Sequence, residues 1–127
     1  MSSFYNISNH PSTKWTKDQL DHANMYGEVI DFGFPYVNSS ATTNEIICQA
    51  RAVVDDIIGG GRHDNIIAMV QGEMTITLAI VHELQAHGVT CVAACSDRVS
   101  EEVVNADGTT SKRSIFKFVQ FREYPTF

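Results

Sequence analysis

From Ile66 to Val70 the chain runs Ile-Ile-Ala-Met-Val without a polar interruption, directly after one stretch of helical periodicity and directly before another. A strand with one face in water would alternate apolar and polar residues. An unbroken apolar run of strand length instead suits burial on both faces, the situation of a central parallel strand covered by helices. Asn65 to Val70 is therefore expected to be a core strand, and the rest of the chain is read outward from it.

Upstream, Phe4 to Ile7 is a short apolar run that empties into the polar cluster Asn9, His10, Pro11, Ser12, which predicts a strand and a loop. Thr16 and Gln19 have capping-box spacing, Trp15 and Leu20 have that of a hydrophobic staple, and Gly27 offers a left-handed stop. Together they predict a helix from about Lys17 to Tyr26. Val29, Ile30 and Phe32 make a second strand, broken by Gly33 and Pro35. Thr42 and Glu45 form a second capping box ahead of Ile46, Ile47, Ala50, Val53, Val54, Ile57 and Ile58, which recur at helical spacing until Gly59, Gly60 and Gly61. This triplet follows a helix, whereas phosphate-cradling glycines precede one, so it is taken as a terminator.

Downstream, Gln71, Gly72 and Glu73 lead into a third helix from about Met74 to His87, closed by Gly88. Thr90 to Cys95 gives a fourth buried strand. Val99 to Val104 and Ser114 to Tyr124 give two more, joined through Asp107-Gly108 as a C-terminal β-hairpin. Strand and helix alternate three times before the antiparallel tail. The expected fold is α/β: a single Rossmann-like domain over residues 1–127, with an open, mainly parallel sheet flanked by helices.

Composition is compatible with this, since 127 residues at 43% hydrophobic and 19% charged can bury one core without disulfides. The net charge of −6 argues against broad binding to duplex nucleic acid. Three cysteines are an odd number for a disulfide framework, and Cys91 and Cys95 share a face of one apolar strand as small hydrophobes. The N-terminal residues lack a secretory pattern and no apolar stretch reaches the ~18 residues of a membrane span, so a cytoplasmic location is expected and no membrane partner.

In an open parallel sheet, ligands bind outside the carboxyl ends of the strands. That rule selects Asn9 to Thr13, Phe34 to Thr42, Gln71 to Thr75 and Ser96 to Ser100. In Gln71-Gly72-Glu73-Met74-Thr75 the glycine permits close backbone approach and the first helical amides favour an anion; alternatively Gly72 only makes the turn and Glu73 only stabilises the helix start. His10, beside Asn9 and Ser12, suits proton transfer or phosphate contact, or else hydrogen bonds only within its own turn. Ser96, Asp97 and Arg98 are expected to end the fourth strand, where Arg98 would clamp a phosphate or pair with Asp97. His82 and His87 miss the metal-binding helix spacing by one residue, so neither metal nor cofactor is expected. Lys112, Arg113, Lys117 and Arg122 interleave with Phe116, Phe118 and Phe121, offering cations and rings to a base-bearing ligand or forming an alternating strand in which Phe116, Phe118 and Val104 are core or dimer contacts.

Three segments carry a family resemblance. The opening Asn6-Ile7-Ser8-Asn9-His10-Pro11-Ser12, the mid-chain Gly72-Glu73-Met74-Thr75 and the closing run from Phe116 to Tyr124 resemble the small CRISPR-associated proteins related to CARF domains, some of which are ring nucleases. The resemblance implies a Rossmann-like homodimer that binds cyclic oligoadenylate, the second messenger of type III CRISPR systems, and cleaves it without metal by 2′-hydroxyl attack on the adjacent phosphate. It would place phosphates at the amides around Gly72 and Thr75, with Gln71, Glu73, Met74 and Ser96 beside them. Asn9 and Ser12 would orient ribose or phosphate, and His10 or Arg98 would neutralise the transition state. Two other classes remain open: a non-catalytic binder of the messenger acting as sponge or sensor, and a small Rossmann-like nucleotide- or nucleoside-processing enzyme with Glu73 or Asp97 as catalytic carboxylate.

Overall fold

The computed structural model describes residues 2–60 and 65–127. They form a mixed α/β structure with one five-stranded sheet and three α-helices. In chain order these are β1 (Ser2–Ser8), α1 (Lys17–Tyr26), β2 (Glu28–Asp31), α2 (Thr43–Ile58), β3 (Asn65–Gln71), α3 (Met74–Ala86), β4 (Thr90–Val104) and β5 (Thr110–Glu123). A 3-10 turn, Ser12–Lys14, precedes α1. The strand order is β2-β1-β3-β4-β5, with β1 parallel to β2 and β3, β3 parallel to β4, and β5 antiparallel to β4.

The apolar run that anchors the sequence is a central strand, with Ala68, Met69 and Val70 buried between β1 and β4. Alternation along the strands divides the core into two layers. Tyr5, Ile7, Ala68 and Val70 pack with α2 and α3 through Ile46, Val54, Ile57, Ile76, Ile80 and Leu84. On the other face Phe4, Met69 and Val92 pack with Ala23 of α1 and with Phe118 and Phe121 of β5. Phe4, wholly buried, stands within 6.2 Å of the rings of Trp15, Tyr26 and Phe121, so one residue of β1 ties α1 to β5. Full burial of such a side chain is worth roughly 1.5–3 kcal/mol.

The helix starts follow their caps. Thr42 accepts from the Glu45 amide and Glu45 returns a hydrogen-bond acceptor to the Thr42 amide, so this box is complete. The box before α1 is half formed, because Thr16 accepts from the Gln19 amide while the Gln19 side chain reaches the Met69 sulfur instead. Gly88, with φ of 78°, gives α3 the left-handed exit expected of it. Gly27 serves another end. A Cβ there would lie 2.2 Å from the Ser2 carbonyl oxygen, so the glycine lets β2 start against the backbone of β1. Gly59 caps α2, while Gly61 lies outside the described residues.

One expectation is corrected. Ser96, Asp97 and Arg98 do not end the fourth strand, and Val99 to Val104 is not a separate one; β4 is continuous, with a bulge between Cys95 and Ser96. The reason is hydrogen bonding: β4 leaves β3 after the Met69–Val92 pair, but β5 pairs with it from Val92 to Val104, so its backbone keeps a partner. Beyond the bulge the two strands form an exposed ribbon outside the helical layers.

Candidate functional site

After β1 the chain crosses to β2 on one side and then to β3 on the other, so strand order reverses between β1 and β3. The turns leaving these two strands therefore diverge and leave a crevice at their carboxyl ends. A second gap adds to it where β4 peels from β3. The Gln71 side chain spans that gap, its Oε1 accepting from the Ala94 amide at 2.8 Å, and the Tyr124 hydroxyl donates to the Val70 carbonyl at 2.6 Å.

The result is a cleft of about 690 Å³ on the α1 face of the sheet. Met69, Ala94, Ser96 and Phe118 form its floor, Ser8, Asn9 and His10 one wall, and Lys14, Trp15, Thr16 and Gln19 the next; Gln71, Gly72 and Phe116 complete it. Among the described lining residues there is no carboxylate, although the chain as a whole carries a net charge of −6. The cations are Lys14 and, when protonated, His10; the exposed aromatic ring is Phe116.

The His10 wall is held from behind by a polar network. Asn6, 1% exposed, donates from Nδ2 to the His10 carbonyl at 2.8 Å and to Asp31 Oδ1 at 2.9 Å, and its Oδ1 accepts from the Ser8 hydroxyl at 2.6 Å. Asp31 also accepts from the Ser12 amide and hydroxyl, and the Trp15 indole donates to the His10 carbonyl at 3.1 Å. Partial burial pushes the Asp31 carboxyl up, but the hydrogen bonds from Asn6 and Ser12 outweigh it and hold the group below its ordinary value. The loop backbone is thus pinned while the Asn9 and His10 side chains are left to the cleft.

The turn after β3 is organised differently. Glu73 caps α3, accepting from the Ile76 amide at 2.9 Å and from the Thr75 hydroxyl at 2.6 Å. The Thr75 hydroxyl, followed by the Ile76 amide, lowers the Glu73 carboxyl from its ordinary value. A Cβ on Gly72 would lie 2.3 Å from the Phe34 ring, so this glycine makes room for an aromatic side chain. A larger groove, about 850 Å³, lies beyond this turn between α3 and residues 124–127, but Met74, Leu78, Val81 and Ala86 make it mainly apolar and His82 is the only cationic type among its described lining residues.

The family model described as the uncharacterized protein MJ1673 family matches residues 2–122. The chain belongs to that family. No curated protein matches the chain.

Of the site residues expected in this MJ1673-family chain, the cleft brings together Asn9, His10, Gln71, Gly72 and Ser96. Ser12 faces Asp31, Glu73 and Thr75 face each other at the start of α3, and Met74 lines the larger groove. Arg98 stands two ribbon pairs beyond Ser96, on the same face but outside the cleft lining. Asp97 alternates to the opposite face. Sequence reading missed Lys14, Trp15, Thr16 and Gln19, whose signal was their position four to nine residues after His10. It also missed Asn6 and Asp31, which are 25 residues apart and meet only through β1–β2 pairing. Among the described residues no group of three or more His, Cys, Asp or Glu side chains is placed to hold a metal ion, and no helix is long and apolar enough to cross a membrane.

Proposed function

We propose that the cleft binds cyclic oligoadenylate and cleaves it as a metal-independent ring nuclease. One observation carries the reading: an acidic protein keeps carboxylates out of the described lining of this cleft and places Lys14, His10, Trp15 and Phe116 there. The Lys14 cation suits a phosphodiester and aromatic faces suit bases, where stacking contributes ~1–3 kcal/mol per base. The identity of the ring rests on the resemblance to the CRISPR-associated proteins. In keeping with it, we read the sheet as Rossmann-like, β4 and β5 as a C-terminal hairpin, and the working form as a cytoplasmic homodimer, because a symmetric ring on a two-fold axis meets the same residues twice.

In the proposed reaction the ribose 2′-oxygen forms a bond to the adjacent phosphorus and the bond from phosphorus to the 5′-oxygen breaks. In this reading the 2′-proton passes to His10 as the base, and the leaving 5′-oxygen takes up a proton from water. The products are linear and end in a 2′,3′-cyclic phosphate. Lys14 stabilises the charge that develops on the phosphoryl oxygens, and the network behind His10 keeps its loop in place, so positioning and electrostatics supply the rate. A carboxylate-based nucleotide enzyme is less well supported, since Glu73 is engaged in its cap and Asp97 faces away.

Incubation with cyclic tetra- and hexa-adenylate in EDTA, followed by separation of the products, tests the reading. Linear products with a cyclic phosphate end are expected, and His10→Ala should abolish them with little loss of binding. Retention of the ring without cleavage would make the protein a binder, and the absence of both binding and cleavage would overturn the proposal.

A further inference from the structure

The ribbon formed by the outer parts of β4 and β5 has two unlike faces. On the face turned from the cleft one charged pair is closed within the ribbon, Arg113 Nη2 lying 3.1 Å from Glu101 Oε2 across the strands, while Asp97 and Lys117, in register beside it, form no ion pair with a described residue. On the cleft face, where Arg98 pairs in register with Phe116 and Glu102 with Lys112, none of the three charged side chains makes an ion pair or side-chain hydrogen bond with a described residue. Phe116 and Val104 on this face are 69% and 74% exposed. A two-stranded ribbon with both faces in water is marginally stable by itself.

We propose that this face docks on the same face of a second copy, about a two-fold axis that crosses the ribbon at the Ser100–Ser114 pair. The pattern is self-complementary under that operation. Arg98 of each copy meets Glu102 of the other, and Lys112 of each meets Phe116 of the other as a cation over a ring. Val104 of each covers the Ser96–Phe118 pair of the other, and serines at the axis let the backbones approach. An axis along the strands would bring both bodies, with α1 on this face, to the same end, where they collide. Pairing of two β5 edges would gather Lys112, Arg113, Lys117 and Arg122 along one seam.

The docking also completes the cleft. Ser96 and Phe118 belong to its floor and Phe116 also lines it, so the ribbon end of the second copy lies over that side of the cleft and borders it. That consequence for the ligand rests on the nucleotide reading above, whereas the interface does not, and the two are tested separately.

Sedimentation of the full chain without ligand should give twice the 14.1 kDa monomer mass. Arg98→Glu and Glu102→Arg should each halve that mass, since each sets like charges opposite one another. Mixing the two variants, or combining both substitutions in one chain, should restore the dimer, which also shows that the single variants are folded. A wild-type monomer, single variants that remain dimeric, or a mixture that remains monomeric would each overturn the interface. Binding of cyclic tetra-adenylate is measured in parallel: a dimer of the predicted behaviour that does not bind it refutes the ligand and leaves the interface standing.

Discussion

The turn after β1 draws its carbonyl and the neighbouring carboxylate inward, onto Asn6, and leaves the His10 and Asn9 side chains facing the cleft. The turn after β3 does the reverse: it folds Glu73 over the first amides of α3, the place an anion would take, and fills the space beside Gly72 with Phe34. Both sit at the reversal of strand order, yet only one presents polar side chains to a ligand. The rule that strand ends bind ligands selects a region of the fold; the local hydrogen bonds decide which turn supplies the chemistry.

The widest break in this comparison is at Gly72. If the glycine exists to seat Phe34, Gly72→Val should cost on the order of 3 kcal/mol in urea denaturation, because the new side chain meets a ring that must move. Adding Phe34→Ala should recover part of that loss. Failure of the second substitution to relieve the first would mean that backbone conformation, not the ring, demands glycine there.

On the β1 side, Asn6→Ala should cost ~1–3 kcal/mol, since it strands the Ser8 hydroxyl, the His10 carbonyl and an Asp31 oxygen around a buried site. It should also weaken ligand binding, which Gly72→Val with Phe34→Ala should not do to the same degree. Equal effects on binding would erase the distinction between the two turns.

These two residues show where the sequence is legible. Caps, apolar periods and glycine stops predicted α1 over its full observed span, Lys17–Tyr26, because helix signals are local. The fusion of the fourth strand with the segment after it was not legible, since Ser96 to Ser100 is polar and is kept in strand form by β5, a distant partner. The cleft was half legible for the same reason. Asn9, His10, Gln71, Gly72 and Ser96 lie at strand ends that patterning can locate, whereas the contact of Asn6 with Asp31 depends on which strands are neighbours. Phe34 over Gly72 is likewise a tertiary contact with no spacing signal.

A smaller effect is expected at Glu73. Glu73→Ala removes the cap of α3 and should cost ~1 kcal/mol, seen as a lower urea midpoint, with affinity for cyclic tetra-adenylate unchanged. A clear loss of affinity would place Glu73 in the site and make the two turns partners.

The smallest effect, and the one that isolates the β1 network electrostatically, is the pH dependence of Asp31. Its carboxyl is held below the ordinary value in the folded chain, so the folded state binds its proton less readily than the unfolded state does. The stability it contributes is present above the unfolded carboxylate value, about pH 4, and is lost as pH falls through the lower folded value. Asp31→Asn should therefore destabilise the protein at neutral pH, and the gap between variant and wild type in urea midpoint should close as the buffer is acidified. Other carboxylates titrate in the same range in both proteins, so the difference between the two curves reports Asp31 alone. A gap that stays constant from neutral pH into acid would mean that the Asn6 and Ser12 contacts act on this loop through shape and not through the charge they surround.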